Sequence, residues 1–477
     1  MTRPMRVLMV SWEYPPVVIG GLGRHVHYLA EALAAQGIEV TVLTRQPSRT
    51  DPSTHPTTDA VVNGVRVIAA AEDPTEFDFG IDMMAWTLSM GHSFVRAGLQ
   101  LLRDWQPDVV HAHDWLVAHP SIALADYFDV PLIATLHATE AGRHSGWVAG
   151  HVNRQVHSVE WWLANSADAL ITCSSSMRDE VRDLFGSGAG SARAGRSEPS
   201  AGSTRAGRSE PSAGSTRAGR SEPSAGSTRA GRSEPSAGSA RAGLSDSGLP
   251  PITVIHNGID LTAWSFAERT VDDGPAELLF AGRLEYEKGL QDLLAALPAI
   301  RRAHPGTTLT VAGEGTQLGW LTELTAEHGV RHAVSFAGRQ DHDGLASLMR
   351  RATAIVLPSR YEPFGIVALE AAASGIPLVT STAGGLGEAV HDGETGMTFP
   401  PADVTALTAA VCATLDDPAA AAVRARRARA VLTEEFTWPA IAERTAAVYR
   451  VASRRTHRPL ARPVIPERPL PERDPNS

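Results

Sequence analysis

Short apolar runs of β type alternate with helix-type segments along almost the whole of this 477-residue chain. That alternation limits the fold more than any other feature. Six runs, "MRVLMVS", "EVTVLT", "VRVIAAA", "PDVVHAH", "VPLIATLH" and "DALITCS", precede residue 187. Six more, "ITVIHNG", "ELLFAGRL", "TTLTVAGEG", "AVSFAGR", "TAIVLPS" and "IPLVTST", follow residue 249. Near-continuous apolar strands separated by helical segments imply parallel sheets covered on both faces. One helix is marked in detail. After "GGLG", Val26, Leu29, Ala30 and Leu33 keep the i, i+3, i+4, i+7 spacing, and Gly37 suits the stop. With a break near residue 260, the pattern predicts an α/β chain of two doubly wound, Rossmann-like units. Ligands of such sheets bind beyond the carboxyl ends of the strands, here in the cleft between the units.

Residues 191–238 interrupt the pattern with four copies of "S(A/T)RAGRSEPSAG", and a fifth begins at Ser239. The unit has no large apolar side chain and cannot build a packed core. Residues 187–249 are therefore expected to be a disordered insertion, and the Pro- and Arg-rich residues 454–477 a disordered tail. The expected organisation is a first unit over 1–260 containing that insertion, a second over 261–434, and a helix over 435–453 that crosses back. A net charge of −10 does not suggest a nucleic-acid partner. The two cysteines, Cys173 and Cys412, form no disulfide framework or zinc motif, which fits a reducing cytoplasm. The first apolar run is too short for a signal peptide, and no run reaches membrane-spanning length. A cytoplasmic protein is expected, with peripheral contact to a membrane surface left open.

Five motifs carry chemistry. In "VSWEYPPVVIGGLGRHV", Gly20, Gly21 and Gly23 stand where a loop enters a helix, a place for close phosphate approach or for a plain tight turn. Val26 fills the position of the third glycine of a dinucleotide fingerprint, so a dehydrogenase is excluded. In "FAGRLEYEKG", Arg283 and Lys288 flank a turn before a helix, as a diphosphate clamp or a solvated surface pair would. "VVHAHDWLVAH" sets His113, Asp114 and Trp115 at a strand end as polar lining with a sugar platform, and "ATLHATEAGRH" sets His137 at another. Metal ligation by this histidine cluster is the weaker reading, because no further ligand cluster with metal spacing follows it.

The fifth motif is "YEPFGIVALE". On one continuous helix, the α-carbons of Glu362 and Glu370 would stand about 12 Å apart. Paired carboxyls of glycosidases are separated by roughly 5–9.5 Å. A hydrolytic acid–base pair is thus disfavoured. Two carboxylates gripping different hydroxyls of one elongated ligand fit better, with Phe364 and Gly365 supplying backbone near a helix start.

Taken together, "E-P-F-G-x-x-x-x-E", "G-R-L-x-x-x-K-G", "G-G-L" and "H-N-G-I-D" resemble the retaining nucleotide-sugar glycosyltransferases of the glycogen synthase type, families 4 and 5, with the GT-B fold. More narrowly, the first-unit motifs look like actinobacterial glycogen-synthase-like α-1,4-glucosyltransferases, a subgroup linked to α-glucan and methylglucose lipopolysaccharide. The resemblance implies that Glu370 binds the donor ribose and Glu362 the transferred glucose. It implies that Arg283 and Lys288 hold the diphosphate, with the backbone at Gly20 and Gly21 beside it. His137 would sit by the reacting sugar, and His113, Asp114 and Trp115 would face the acceptor. It implies no cofactor and no metal, with a nucleotide sugar and an α-glucan or glycolipid-type acceptor as partners. Two alternatives stay open: another hexosyltransferase with a lipid or small acceptor, and a non-catalytic glucan-binding protein.

Overall fold

The computed structural model describes residues 3–18, 20–72, 77–144, 148, 150–186, 248–268 and 274–454. The repeat tract 187–247 and the tail 455–477 lie outside the described residues. The first unit holds β1 (Arg6–Val10), β2 (Glu39–Arg45), β3 (Thr58–Val62), β4 (Val65–Ala70), β5 (Val109–His113), β6 (Leu132–Leu136), β7 (Ala169–Thr172) and β8 (Ile252–Val254). They form one sheet in the order β3-β4-β2-β1-β5-β6-β7-β8. The second unit holds β9 (Glu277–Ala281), β10 (Thr308–Ala312), β11 (Val334–Gly338), β12 (Ala354–Leu357), β13 (Leu378–Ser381) and β14 (Met397–Phe399), ordered β11-β10-β9-β12-β13-β14.

Each of the twelve apolar runs contains one strand. β5, β6, β7, β12 and β13 are buried at every residue, as strands covered on both faces must be. Two strands were not legible. β3 is exposed throughout and pairs antiparallel with β4 at the sheet edge, so burial left no mark on its sequence. β14 is three residues long.

Strand order reverses between β1 and β5 in one sheet and between β9 and β12 in the other. At such a point the loops leave in opposite directions and open a crevice. The loops that leave there carry residues 11–20, Asp114, Arg283 with Lys288, and Glu362. Sheet topology therefore brings these motifs to the same ends of their strands.

Helix Gly21–Ala35 buries Val26, Leu29, Ala30 and Leu33 as its spacing predicts, and Gly37 closes it at φ +84°. These side chains pack with Ile441, Ala442, Ala446 and Tyr449 of helix Trp438–Ser453, which follows the second unit in sequence but lies on the first. A further apolar core runs from Trp115, Leu136 and Cys173 to Phe364, Ala368 and Phe436 and joins the two units. Among the described residues, no single helix is long and apolar enough to cross a membrane.

Candidate active site

The loop after β9 turns back at Gly289, which has φ +72°. A β-carbon there would stand 1.8 Å from the Pro358 carbonyl oxygen, so only glycine lets this loop touch the end of β12. That contact sets Lys288 beside the loop carrying Glu362. Lys288 Nζ donates to Glu362 Oε2 at 2.8 Å, and Ser359 Oγ reaches the same oxygen at 3.4 Å. Arg283 is more open and pairs with Glu287 at 2.7 Å. Phe364 is buried against His256 and Phe436, so its ring does not face a ligand and only its backbone is offered. Gly365, at φ +95°, starts helix Ile366–Ser374.

Glu370 lies on that helix with 2% of its surface exposed. Arg24 Nη1, from the first turn of helix Gly21–Ala35, donates to Glu370 Oε1 at 2.5 Å. Glu370 Oε2 is buried without a hydrogen-bond partner among the described residues. Burial raises the Glu370 carboxyl above its ordinary range, and Arg24 acts against that shift. The two helices meet closely: a β-carbon on Gly21 would lie 2.8 Å from Ile366 Cδ1. Between them opens a cleft of about 480 Å³ lined by Gly20, Arg24, His25 and Tyr28 from one side and Arg339, His342, Ile366 and Glu370 from the other. Asp260, from "HNGID", lines it as well.

On the first unit, Asp114 adopts φ +66° at the end of β5 and is buried. Its Oδ1 accepts the His137 backbone N–H at 2.7 Å. Burial pushes the Asp114 carboxyl up to about 6, against the pull of Arg143 and of the His137 and Ala138 amides. His113 Nδ1 lies 3.2 Å from His137 Nε2. Burial holds the His137 ring down to about 4, helped by the Arg143 cation, so the imidazole is neutral at pH 7. His25 and His113 are also driven well below the usual histidine range, burial again being the main cause. Cys173 Sγ lies 3.4 Å from the Pro363 carbonyl oxygen and 4.0 Å from that of His137, so the His137 and Glu362 loops adjoin across the unit boundary.

Two expectations change. Trp115 is 4% exposed and belongs to the apolar core, because the 3₁₀ turn over Trp115–Val117 points it inward; it offers no platform to a sugar ring. Asp114 spends its carboxylate on the His137 backbone and is a positioning group for it. Sequence reasoning missed Arg24, His25, Tyr28, Arg339 and His342. Arg24 and His25 stand inside the quoted glycine motif, but nothing in their spacing points to a carboxylate 346 residues away. One group among the described residues could hold a transition metal: His25, His113 and His137 each bring a ring nitrogen within 4.8 Å of the others.

Comparisons with known proteins identify the family. A family model described as Glycosyltransferase Family 4 matches residues 19–192, and one described as Glycosyl transferases group 1 matches residues 264–431. The glycogen synthase of Mycobacterium tuberculosis (strain ATCC 25618 / H37Rv) is 55% identical over 98% of this chain and 100% of its own length. The chain belongs to the GT-B glycosyltransferases of the glycogen synthase type. As a member of that family it is a hexosyltransferase. A D-inositol 3-phosphate glycosyltransferase of Kineococcus radiotolerans is 29% identical over 94% of this chain and 95% of its own. Among solved structures, the sucrose-phosphate synthase of Thermosynechococcus elongatus has a TM-score of 0.69 at 23% identity, covering 94% of this chain and 98% of its own, and shows the shared fold.

Proposed function

We propose that this glycosyltransferase moves glucose from a nucleotide-diphosphate-glucose, UDP- or ADP-glucose, to the non-reducing end of an α-1,4-glucan, glycogen or a methylglucose lipopolysaccharide precursor, in the cytoplasm. The observation that carries the reading is the identity with a glycogen synthase, 55% over 98% of this chain. The site geometry supports it. Glu370, buried with one free carboxylate oxygen, suits the ribose hydroxyls, and Glu362 suits those of the glucose. Lys288 and Arg283 suit the diphosphate, with the backbone of Gly20 and Gly21 proposed to meet it as well. Residues 1–260 would serve the acceptor side and 261–434 the donor side.

The chemistry runs with retention at the anomeric carbon. The bond to the nucleoside diphosphate breaks as Lys288 and Arg283 take up the charge that develops on it. A phosphate oxygen on the same face accepts the proton of the acceptor hydroxyl as the new glycosidic bond forms. The His137 carbonyl and neutral ring stabilise the cationic sugar between the two events. Closure of the cleft keeps water, the competing acceptor, away.

A second reading keeps the reaction and changes the acceptor to a small phosphorylated molecule. It is supported by the 29% identity with a D-inositol 3-phosphate glycosyltransferase. Arg143, whose cation acts on both Asp114 and His137, would meet that phosphate. A radiolabelled transfer assay tests both. UDP-glucose, ADP-glucose and GDP-mannose are offered in turn with maltooligosaccharide, with inositol 3-phosphate and with hexose phosphates. Elongated α-1,4 product supports the first reading. Product only with a phosphorylated acceptor supports the second. Glucan binding by folded protein with no transfer from any donor would reduce it to a binding protein.

A further inference from the structure

Lys288 and Arg283, proposed for the donor's diphosphate, and Arg24 in the cleft beside Glu370 are each held by a carboxylate. Lys288 is on Glu362 at 2.8 Å, Arg283 on Glu287 at 2.7 Å and Arg24 on Glu370 at 2.5 Å. Two of these carboxylates, Glu362 and Glu370, are the groups proposed to receive the donor's hydroxyls. These charges thus neutralise one another: cations suited to the donor's phosphates sit on carboxylates suited to its sugars.

Arg24 stands apart from the other two cations. Its pair joins the two units across the cleft, whereas Lys288 and Arg283 pair within the second. It is the half of the pair that can move, with 46% of its side chain exposed against 2% for Glu370. It also stands in the first turn of the helix that the glycine loop opens, next to the backbone proposed for the diphosphate. A ribose diol reaches Glu370 through the unpartnered Oε2, and its second hydroxyl competes with Arg24 for Oε1. The freed guanidinium then has an anion at hand, since the same ligand brings a diphosphate.

We infer that Arg24 is a third cation of the donor site, paired with Glu370 and handed to the donor's diphosphate when the ribose takes that carboxylate. The inference rests on the proposed donor site. Arg24 thereby acts as a positioning and binding group that couples ribose recognition on one unit to phosphate recognition on the other.

Calorimetric titration of UDP and ADP into four full-length proteins tests it: wild type, Arg24→Gln, Glu370→Gln and the double variant. A charged hydrogen bond to phosphate is worth about tenfold or more in affinity. Arg24→Gln is therefore expected to weaken the preferred nucleotide about tenfold in the wild-type background and again in the Glu370→Gln background, where Arg24 has no carboxylate to serve. Equal affinity of Glu370→Gln and the double variant would overturn the inference, because Arg24 would then act only as the counterion of Glu370. Arg24→Lys guards against misfolding and is expected to recover part of the loss. If Glu370→Gln and Lys288→Ala both leave nucleotide affinity unchanged, the donor-site reading itself has failed, which is a different result from failure of the transfer of Arg24.

Discussion

Asp114 Oδ1 accepts the backbone N–H of His137 at 2.7 Å and so ties together the ends of β5 and β6. The bond fixes where the His137 carbonyl and ring stand. Asp114 does this from a left-handed backbone, φ +66°, which Asn tolerates better than most residues.

Asp114→Asn keeps an acceptor oxygen and is expected to retain most activity. Asp114→Ala leaves a buried N–H unpaired, costing about 1–3 kcal/mol of stability, and loosens His137. The pH dependence has a definite sign. The Asp114 carboxyl is raised to about 6 from an ordinary 3.8, so the native state holds its proton more tightly than the unfolded chain. The resulting stabilisation is full below 3.8 and is lost as pH rises through 6. Urea unfolding of Asp114→Asn and wild type should therefore diverge by about 1 kcal/mol between pH 5 and 7, in favour of the variant. A constant difference across that range would show that Asp114 is not protonated in the way its burial demands.

His137→Ala is expected to lower kcat by about a hundredfold while changing donor KM little, because the group is proposed to act on the charge that develops in the transition state. With the ring held down to about 4, no inflection of kcat belonging to this histidine should appear between pH 6 and 7. An inflection there that vanishes in His137→Gln would mean the ring works as a cation.

Glu370→Ala and Lys288→Ala should separate binding from chemistry. Loss of Glu370 removes the proposed ribose partner and is expected to raise donor KM about tenfold with a smaller change in kcat. Loss of Lys288 strands Glu362, its 2.8 Å partner, and removes charge proposed to meet the leaving group; kcat should fall about a hundredfold. Steady-state kinetics with the donor identified by transfer assay reads both. The same KM–kcat split in both variants would undo their assignment to different parts of the donor.

Gly289→Ala should damage the site without touching a ligand. The new β-carbon would overlap the Pro358 carbonyl, 1.8 Å away, in a backbone already at φ +72°. The loop must shift and Lys288 with it. A loss of at least tenfold in kcat/KM, with an intact far-ultraviolet dichroism spectrum, is expected. Normal kinetics would show that the loop's path does not set Lys288.

Much of this was legible in the sequence, for physical reasons that differ from residue to residue. The parallel strands announced themselves because burial on both faces leaves continuous apolar runs. Arg283, Lys288 and Glu362 could be placed at strand ends because they follow such runs, but only the family resemblance tied them to a donor. β3 escaped because nothing covers it. Trp115 was misjudged because a short 3₁₀ turn, with no periodicity to read, decides which way it points. Arg24 was invisible because its partner is brought by the meeting of two units, and no local pattern encodes that meeting.

Helix Trp438–Ser453 is fastened to the first unit by one buried polar contact that can be tested cleanly. The Tyr449 hydroxyl lies 2.7 Å from His111 Nδ1, and His111 Nε2 lies 2.7 Å from Thr135 Oγ1. Tyr449 has no exposed surface, so no water replaces the hydroxyl when it is removed. Tyr449→Phe keeps the ring in the apolar layer between the two helices and deletes only that oxygen. His111 then loses a partner in a dry site, which costs about 1–3 kcal/mol and lowers the melting temperature by several degrees. Tyr449→Ala adds a cavity the size of the ring and should cost about 3–5 kcal/mol. The His111 ring lies 4.1 Å from that of His113, which in turn contacts His137, so the kinetics of Tyr449→Phe carry a second message. Unchanged kcat with reduced stability is the expected result and makes His111 a fastening for the helix. A fall in kcat of tenfold or more at unchanged stability would instead show that the three histidines pass an orientation from the helix to the reacting sugar.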